Sequence, residues 1–484
     1  MEKISKVITT LSKYLNTPIY LFILAIQSFV IILLSNHYIN RDGVTFLKTS
    51  LIIANHGIAN ALKFYDWPTF SILIYLLSKY CMIPYPIAAH LLDLVFVLVT
   101  FYFFSKTAKI LFKNIKYIDV FSFVVFSTSL PIMDSYLPMI LRDPGMWAGT
   151  MAGVFYFIRY LETKKITLSL LSIFAFFISG LFRSEGFLFI PFVLVLIVFN
   201  SRHSFNFLIK EVKNTFFILL LLIVVISFIN ELLGFNSRLA TIIERFYLLF
   251  SSHDQVLTSD NYFFKRYLDD NYHLILNISF ITIFFNKWIF NVGFAHFASG
   301  VYFLYHLRIN KTVSIEYKGY LIAFILYSLF MVFLHFYATM SLSSRYFVFT
   351  YLLFYFFSIG GLVNALLSDK KITKYFFIIL YSISFLNTII DSSDKNIKHE
   401  AVSWVVNNIE TSQSVISNDD QINFSLKNYD LTDTSIGTII NNMNYNYLIL
   451  ALDNGINYDF SNFIILKKFN KKEKNIIILK RNND

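Results

Sequence analysis

Long apolar stretches alternate with short polar connections along the first 390 residues of the chain. Most of these stretches approach or reach the roughly 20 residues that an α-helix needs to cross a bilayer. They predict eleven transmembrane helices in a polytopic α-helical membrane protein. The predicted bounds are Pro18–Leu34, Pro86–Phe104, Val120–Met133, Pro144–Arg159, Leu168–Leu181, Gly186–Phe199, Thr215–Leu233, Trp288–Leu307, Tyr320–Met340, Tyr346–Leu367 and Tyr375–Ile390.

Two long connections depart from this alternation. In the first, residues 37–85, apolar positions recur at helical spacing but are interrupted by charged residues, which predicts helices that lie along the outer interface. Trp67-Pro68 separates two such helices, because proline favours a first helical turn and an indole ring suits the headgroup level. The second connection, residues 234–287, is polar and aromatic and predicts an outer loop with some helix.

The composition changes after residue 390, where Asn, Asp, Ser and Lys become frequent and apolar runs become short. This change divides the chain into a membrane domain, residues 1–390, and a soluble domain, residues 391–484. The pattern of the second part predicts a small α/β unit. Its predicted elements are a helix at His399–Ile409, a strand at Ser414–Ser417, a helix at Ser435–Met443 and strands at Tyr447–Leu452, Phe463–Lys467 and Ile476–Lys480.

Charge and cysteine content narrow the class of protein. The net charge is +11, but Lys and Arg cluster in alternate connections between the apolar stretches, so membrane orientation explains them and nucleic acid is not expected as a partner. The positive-inside rule places these clusters and the N-terminus in the cytoplasm, and an odd number of spans then places the C-terminal domain outside. The single cysteine, Cys81, excludes an intrachain disulfide and a thiolate metal site. The first apolar stretch lacks a small-residue cleavage signal and is expected to be retained.

Three arginines occur in the short outer connections, where a basic residue has no orienting role: Arg142, Arg183 and Arg345. A fixed guanidinium at headgroup depth suits a phosphate, which it grips through two parallel hydrogen bonds. The alternatives are a local ion pair between Arg183 and Glu185, and an Arg345 side chain that extends to the interface.

Acidic residues fall at the same outer face. Asp42 follows the first span between Arg41 and Gly43, and an ionised carboxylate there can accept a proton from a hydroxyl group. Its alternative is a solvated residue in a turn. Asp143 precedes Pro144 and is either a helix cap or part of a site shared with Asp42. Asp66, Asp134 and Glu185 lie at the same face.

Two further positions attract attention. Asp93 lies inside the second span near His90, and an ionisable group in a membrane indicates either function or a hydrogen bond to a neighbouring helix. His253 and Asp254 lie in the long outer loop, where they would orient a substrate or bind a metal. Two adjacent residues do not make a metal site by themselves.

These residues, in this order, resemble the GT-C class of polyprenyl-phosphate-sugar-dependent membrane glycosyltransferases, in particular the bacterial branch related to protein mannosyltransferases and lipid A aminoarabinose transferases. The resemblance covers nearly the whole chain and depends on the order and sidedness of short motifs. The matching motifs are Arg41-Asp42-Gly43, Tyr65-Asp66-Trp67-Pro68, Arg142-Asp143, Phe182-Arg183-Ser184-Glu185-Gly186 and Arg345-Tyr346, with Ala401, Trp404, Asn407 and the segment Val415–Asp419 in the tail.

The resemblance implies an inverting glycosyltransferase at the outer face of the bacterial cytoplasmic membrane. Its donor would be a polyprenyl-phosphate-linked sugar and its acceptor a glycan, lipid or protein. It further implies that Asp42 is the catalytic carboxylate and that Asp143 is a second acidic residue near the donor. Arg183 and Arg345, with Arg142, would bind the lipid phosphate, and the residues that would contact substrate are Arg41, Asp66, Glu185, His253 and Asp254. Some members need a divalent metal and others need no cofactor, so metal use stays open. The chain departs from some relatives at Gly43, where they carry a second acidic residue.

Three other functions remain open. An O-antigen polymerase or ligase also joins sugars from lipid carriers, but tends to use arginines in two large outer loops. A lipid-linked sugar transporter or flippase would place polar groups near the bilayer midplane in repeated halves, and only Asp93 fits that pattern. A scaffold would leave the outer charges without a purpose.

Overall fold

The computed structural model describes residues 17–35, 39–200, 272–309, 313–339, 342–390, 397–410, 413–426, 445–453, 462–471 and 474–482. The chain is mostly helical, with a small sheet near the C-terminus. The predicted span at residues 215–233, most of the predicted loop at 234–287 with His253 and Asp254, and the predicted helix at 435–443 lie outside the described residues.

Nine helices occupy the described residues before position 201. They are α1 (Thr17–Leu34), α2 (Arg41–His56), α3 (Ile58–Phe64), α4 (Thr69–Cys81), α5 (Tyr85–Leu111), α6 (Ile118–Ser127), α7 (Asp143–Thr163), α8 (Ile166–Phe182) and α9 (Glu185–Asn200). A π-helical segment, Leu130–Tyr136, continues from α6 after a bend of 40°.

Five helices follow before the C-terminal domain, again within the described part of the chain. They are α10 (Tyr272–Asn291), α11 (Phe294–Ile309), α12 (Lys318–Thr339), α13 (Val348–Leu367) and α14 (Lys371–Ile390). A short 3-10 turn, Ser344–Phe347, leads into α13.

Five of the helical segments in the described ranges are long and apolar enough to cross a membrane, or six if the bent pair after α5 counts as one span. The five segments are Thr17–Leu34, Tyr85–Leu111, Lys318–Phe336, Ser344–Leu367 and Lys371–Ile389. Shorter apolar helices include α8 and α9. The chain is therefore compatible with a multi-pass membrane protein, while the number of eleven spans stays a prediction.

Two predicted boundaries are wrong. Trp288 was expected to begin a span, but α10 runs through it and ends at Asn291, and Gly293 then adopts a positive φ of 91° before α11 begins. Few residues other than glycine adopt that backbone conformation easily, so the break is encoded at one position. Similarly, the stretch after Arg41 forms three helices, because Gly57 (φ 80°) interrupts the predicted first one.

The core of the membrane domain is aromatic and surrounds α13, which is buried on all sides over most of its length. Helices α6, α11, α12 and α14 contact it. Phe356 of α13 stacks on Phe104 of α5 with ring centroids 4.7 Å apart. Gly361 lies so close to the backbone of Ser299 that a Cβ would fall 1.8 Å from its carbonyl oxygen, so these two helices touch main chain to main chain.

The C-terminal domain confirms most of the predicted elements. It contains α15 (Ile397–Asn408), β1 (Val415–Ser417), α16 (Asp420–Ser425), β2 (Tyr447–Asp453), β3 (Phe463–Lys471) and β4 (Lys474–Arg481). The sheet order is β1-β2-β4-β3, with β1 and β2 parallel and the other pairs antiparallel. Apolar residues of α15 pack on one face of the sheet.

The two domains touch close to the start of α2. The Gln421 side-chain amide of α16 donates a hydrogen bond to the main-chain oxygen of Ile39 at 2.8 Å. Lys398 fixes that part of the C-terminal domain, because its ammonium group contacts both Gln421 and the Asp419 carboxylate. The C-terminal domain therefore contacts the segment that precedes Asp42.

Candidate functional site

Four distant segments meet in one polar cleft of about 230 Å³. Asp42 is the second residue of α2, Asp143 the first of α7, Arg183 lies between α8 and α9, and Arg345 lies in the turn before α13. The residues that line this cleft are Asp42, Thr45, Phe46, Tyr65, Arg142, Asp143, Arg183 and Arg345. Asp42 and Asp143, expected to share a site, thus line the same cavity.

Arg183 forms a buried charge cluster with two carboxylates. Its Nη1 donates to Asp143, and its Nη2 lies 2.6 Å from Oε1 of Glu185. The side chains of Arg183 and Asp143 are only 7% and 3% exposed. The alternative in which Asp143 caps its own helix does not hold, because Arg142 occupies the N-cap position, Asp143 is the first helical residue, and its carboxylate accepts from Arg183.

The charges in this cluster stabilise one another. Burial alone would raise the pKa of Glu185, but the adjacent Arg183 charge and its hydrogen bonds outweigh that effect and lower the pKa to about 2. Burial likewise opposes the charge on Arg183, yet the Asp143 and Glu185 carboxylates raise its pKa well above the ordinary value. Arg183 and Glu185 are therefore both ionised across the physiological range.

The second ion pair in the cleft is more open. Arg345 donates through Nη1 to Oδ2 of Asp42, and the two side chains are 27% and 43% exposed. The Arg345 Nε atom is buried and has no hydrogen-bond partner among the residues that the structure describes. A guanidinium with an unused inward donor is suited to a second anionic ligand.

Tyr346 lies within cation–π distance of both arginines. The Cζ atom of Arg183 is 4.7 Å from the centroid of its ring and that of Arg345 is 5.4 Å away. The imidazole of His335 packs edge-on against the same ring, with centroids 4.5 Å apart. The Tyr346 ring thus contacts both guanidinium groups.

A narrow, largely apolar groove opens from the same residues. Asp143, Arg183 and Arg345 line both the groove and the polar cleft. The other groove residues come from α7, α9, α12, α13 and the turn before α13: Met146, Trp147, Glu185, Phe189, Ser328, Met331, Val332, His335, Tyr346 and Phe349. These three charged residues therefore lie where the polar cleft meets the apolar groove.

Backbone contacts hold the acidic segments together. Asn40 Oδ1 accepts from the backbone N–H of Ile140 at 2.9 Å, and a Cβ at Gly43 would fall 2.9 Å from the Ile140 Cβ. This close approach explains why the chain has glycine at position 43, where a second acidic residue would collide. Asp93 also holds this segment, because its Oδ2 accepts a hydrogen bond from the backbone N–H of Leu141 at 3.1 Å.

A glycine stripe brings α7 against α8. Gly145, Gly149 and Gly153 recur every four residues and face Phe182, Ser179 and Phe176 of α8. A Cβ at Gly149 would lie 2.8 Å from the Ser179 backbone, so the helix axes approach as closely as small residues allow. Since Asp143 begins α7 and Arg183 follows α8, this packing brings the two charges together at one end of the pair.

The remaining predicted residues take different places. Arg142 lines the cleft and lies over the Tyr65 ring, with Cζ 5.8 Å from the centroid. Arg41 is exposed, Asp66 is partly buried, and neither is among the residues that line the cleft. Sequence reasoning missed Thr45, Phe46, Trp147 and His335 as lining residues. Only Thr45 and Phe46 carried a signal, since they lie one turn after Asp42 on the same helix.

No group of three or more His, Cys, Asp or Glu side chains within the described ranges is arranged to hold a metal ion. The carboxylates of Asp42, Asp143 and Glu185 each bind an arginine.

Comparison with known proteins adds no relative. A scan of protein-family models gives no match, and a search of curated proteins gives none either.

Proposed function

We propose that this protein is an inverting glycosyltransferase that moves a sugar from a polyprenyl-phosphate carrier to an acceptor at the outer face of a bacterial cytoplasmic membrane. The observation that carries the proposal is the position of Asp143, Arg183 and Arg345, which line both a polar cleft and an apolar groove. A lipid-linked sugar needs such a junction, because its phosphate separates a polar sugar from a hydrocarbon tail.

Asp42 supplies the base. It lines the cleft and is partly exposed, so a hydroxyl group of the acceptor reaches its carboxylate. In the proposed step the acceptor oxygen attacks the anomeric carbon from the face opposite the phosphate, and Asp42 takes the hydroxyl proton. The bond between the anomeric carbon and the phosphate oxygen breaks, and polyprenyl phosphate leaves with the electron pair. The sugar configuration inverts.

The cations supply the stabilisation. Negative charge grows on the leaving phosphate, and fixed guanidinium groups near it lower the barrier because they need no reorganisation. Arg183 is held by Asp143 and Glu185, and Tyr346 lies against both arginines. Asp143 acts on the donor side through its contact with Arg183.

The basic ends of the helices support the proposed sidedness. Glu162, near the end of α7 away from Asp143, pairs with Lys113 at 3.0 Å and with Arg159 at 2.6 Å. The lysine-rich connections thus lie at the end of the helices away from the cleft. By the positive-inside rule this end is cytoplasmic and the cleft faces outward.

The transporter alternative loses its main support. Asp93 was the ionisable residue that favoured a transport path, and its carboxylate accepts a hydrogen bond from the segment that carries Asp143. Its Oδ2 anchors that segment, while its Oδ1 is buried without a hydrogen-bond partner among the described residues. The polymerase or ligase alternative shares the donor chemistry and differs in the acceptor.

The test uses Asp42→Asn in the full chain, assayed in membranes with radiolabelled polyprenyl-phosphate sugars and an envelope extract as acceptor. We expect transfer to fall by at least about 100-fold, as for the loss of a general base, while the purified variant keeps the wild-type elution profile. Asp369→Asn, an exposed site in the connection before α14, is the matched control and should retain activity. Full transfer by Asp42→Asn would refute the proposal.

A further inference from the structure

The two arginines shared by the cleft and the groove differ in how fully they are bound. Arg183 is 7% exposed and directs Nη1, Nη2 and Nε to the Asp143 and Glu185 carboxylates. Displacing either carboxylate would leave an uncompensated buried charge, which is strongly unfavourable. Arg183 is therefore a positioning residue that stays in place when a ligand binds.

Arg345 is bound through fewer atoms. Of its nitrogen atoms Nη1 contacts a carboxylate, that of Asp42, and both partners of this pair are partly exposed. Its Nε is buried without a hydrogen-bond partner in the described part of the structure, and the residue lines both cavities. Partly exposed ion pairs are weak and separate easily when a better anion arrives. The phosphodiester of a sugar-linked donor offers two charged oxygen atoms and so engages a second nitrogen of the guanidinium as well.

The pair also occupies the base. While Asp42 Oδ2 accepts from Arg345, the hydroxyl group of an acceptor has to share the carboxylate with a guanidinium. Asp42 and Arg345 are 303 positions apart, and their contact joins the start of α2 to the turn before α13. One contact thus couples the acceptor side of the cleft to the donor side.

We propose that Arg345 exchanges Asp42 for the phosphate of the lipid-linked donor, and that this exchange frees Asp42 to accept the proton of the acceptor. The inference rests on the function proposed above and deepens it. It orders the reaction: the donor binds first, and the acceptor becomes reactive only afterwards. Without donor, the ion pair keeps Oδ2 of the base bound to Arg345.

The exchange predicts an unusual property of the inactive variant. Asp42→Asn removes the competing carboxylate, so it should bind the donor phosphate more tightly than wild type while transferring no sugar. A partly exposed pair predicts a gain of roughly 1.5- to 5-fold in affinity. Arg345→Gln should weaken binding at least about tenfold, and Asp42→Asn should have no further effect in the Arg345→Gln background because the two residues act as a pair.

The experiment measures binding of undecaprenyl phosphate to the full chain in lipid nanodiscs, with undecaprenol and inorganic phosphate as separate probes. Undecaprenol tests the tail alone and inorganic phosphate tests the headgroup alone. Asp369→Asn is the charge-matched control and should bind as wild type does. Arg345→Lys, which keeps the charge, provides a second variant if Arg345→Gln is unstable.

The possible results separate the two proposals. If Asp42→Asn leaves affinity unchanged while Arg345→Gln and Arg345→Lys reduce it, the exchange is refuted and the proposed glycosyltransferase stands. If Asp42→Asn tightens binding equally with and without Arg345, the gain comes from the loss of one negative charge near the phosphate. Arg345 then has no part in it, and the exchange is again refuted. If neither wild type nor Asp42→Asn binds undecaprenyl phosphate, both the exchange and the proposed function fall.

Discussion

Asn40 and Ile140 lie 100 positions apart in the chain, yet the Asn40 side chain accepts a hydrogen bond from the Ile140 backbone at 2.9 Å. Asp42 follows Asn40 by two residues, and Asp143 follows Ile140 by three. This single bond therefore fixes the spacing of the two carboxylates that the proposed reaction needs, without taking part in the chemistry.

Asn40→Ala should impair the site through geometry. The substitution leaves the Ile140 N–H without its acceptor, at a cost of about 1–3 kcal/mol in the free energy of unfolding. We expect thermal unfolding at a lower temperature and a reduced kcat with a nearly unchanged donor KM. Asn40→Asp keeps an acceptor oxygen and should recover most of the stability. An equal loss in both variants would show that the side-chain bond does not matter.

Gly149→Ala should separate α7 from α8. A Cβ at position 149 would lie 2.8 Å from the backbone of Ser179, which cannot rotate away, so we expect a loss of about 1–3 kcal/mol and lower transfer activity. Gly319→Ala is the matched control, because a Cβ at this helical position meets nothing within 4 Å. It should leave the unfolding temperature unchanged or raise it slightly. Similar effects at both positions would contradict the proposed close packing.

Glu185→Gln should reveal a pH-dependent contribution to stability. The folded-state pKa of about 2 is below the ordinary value of 4.5, so ionised Glu185 stabilises the fold fully above about pH 4.5. That contribution is lost as the pH falls from 4.5 towards 2. Unfolding temperatures of wild type and Glu185→Gln should thus differ by a constant amount between pH 5 and 8 and converge below pH 4.5. A difference that grows on acidification would have the wrong sign.

Tyr346→Leu should weaken donor binding, because it removes the ring that lies 4.7 Å and 5.4 Å from the two guanidinium carbons. A loss of about 0.5–2 kcal/mol corresponds to a several-fold rise in the donor KM. Tyr346→Phe keeps the ring and should behave nearly as wild type. If Tyr346→Phe is as impaired as Tyr346→Leu, the hydroxyl group matters rather than the ring face.

The sequence predicted local structure well where one residue or a short period decides it. Short apolar runs located the strands at 447, 463 and 476, and Pro144 marked the start of α7. The break at Gly293 was missed because the flanking apolar run continues across it, and only the positive φ distinguishes that glycine. Gly43 looked like a missing carboxylate, whereas its role is to admit Ile140.

The sequence did not predict which arginine binds which carboxylate. The motifs placed Asp42, Asp143, Arg183 and Arg345 at one face, but the sequence contains nothing that assigns Arg345 to Asp42 and Arg183 to Asp143. These ion pairs depend on helix packing. The glycine stripe of α7 brings Asp143 to Arg183, and the turn before α13 brings Arg345 to Asp42. His335 shows the same limit, since a lone histidine near the end of an apolar helix has no pattern that separates a groove residue from a core residue.

The bond between Gln421 and Ile39 has an evolutionary consequence. Its acceptor is a main-chain oxygen, which every amino acid supplies, so substitution at position 39 leaves the acceptor in place, whereas substitution at position 421 removes the donor. The two positions of this contact are therefore under unequal sequence constraint. Homologous chains would be free to vary on the membrane side of the joint and constrained on the soluble side.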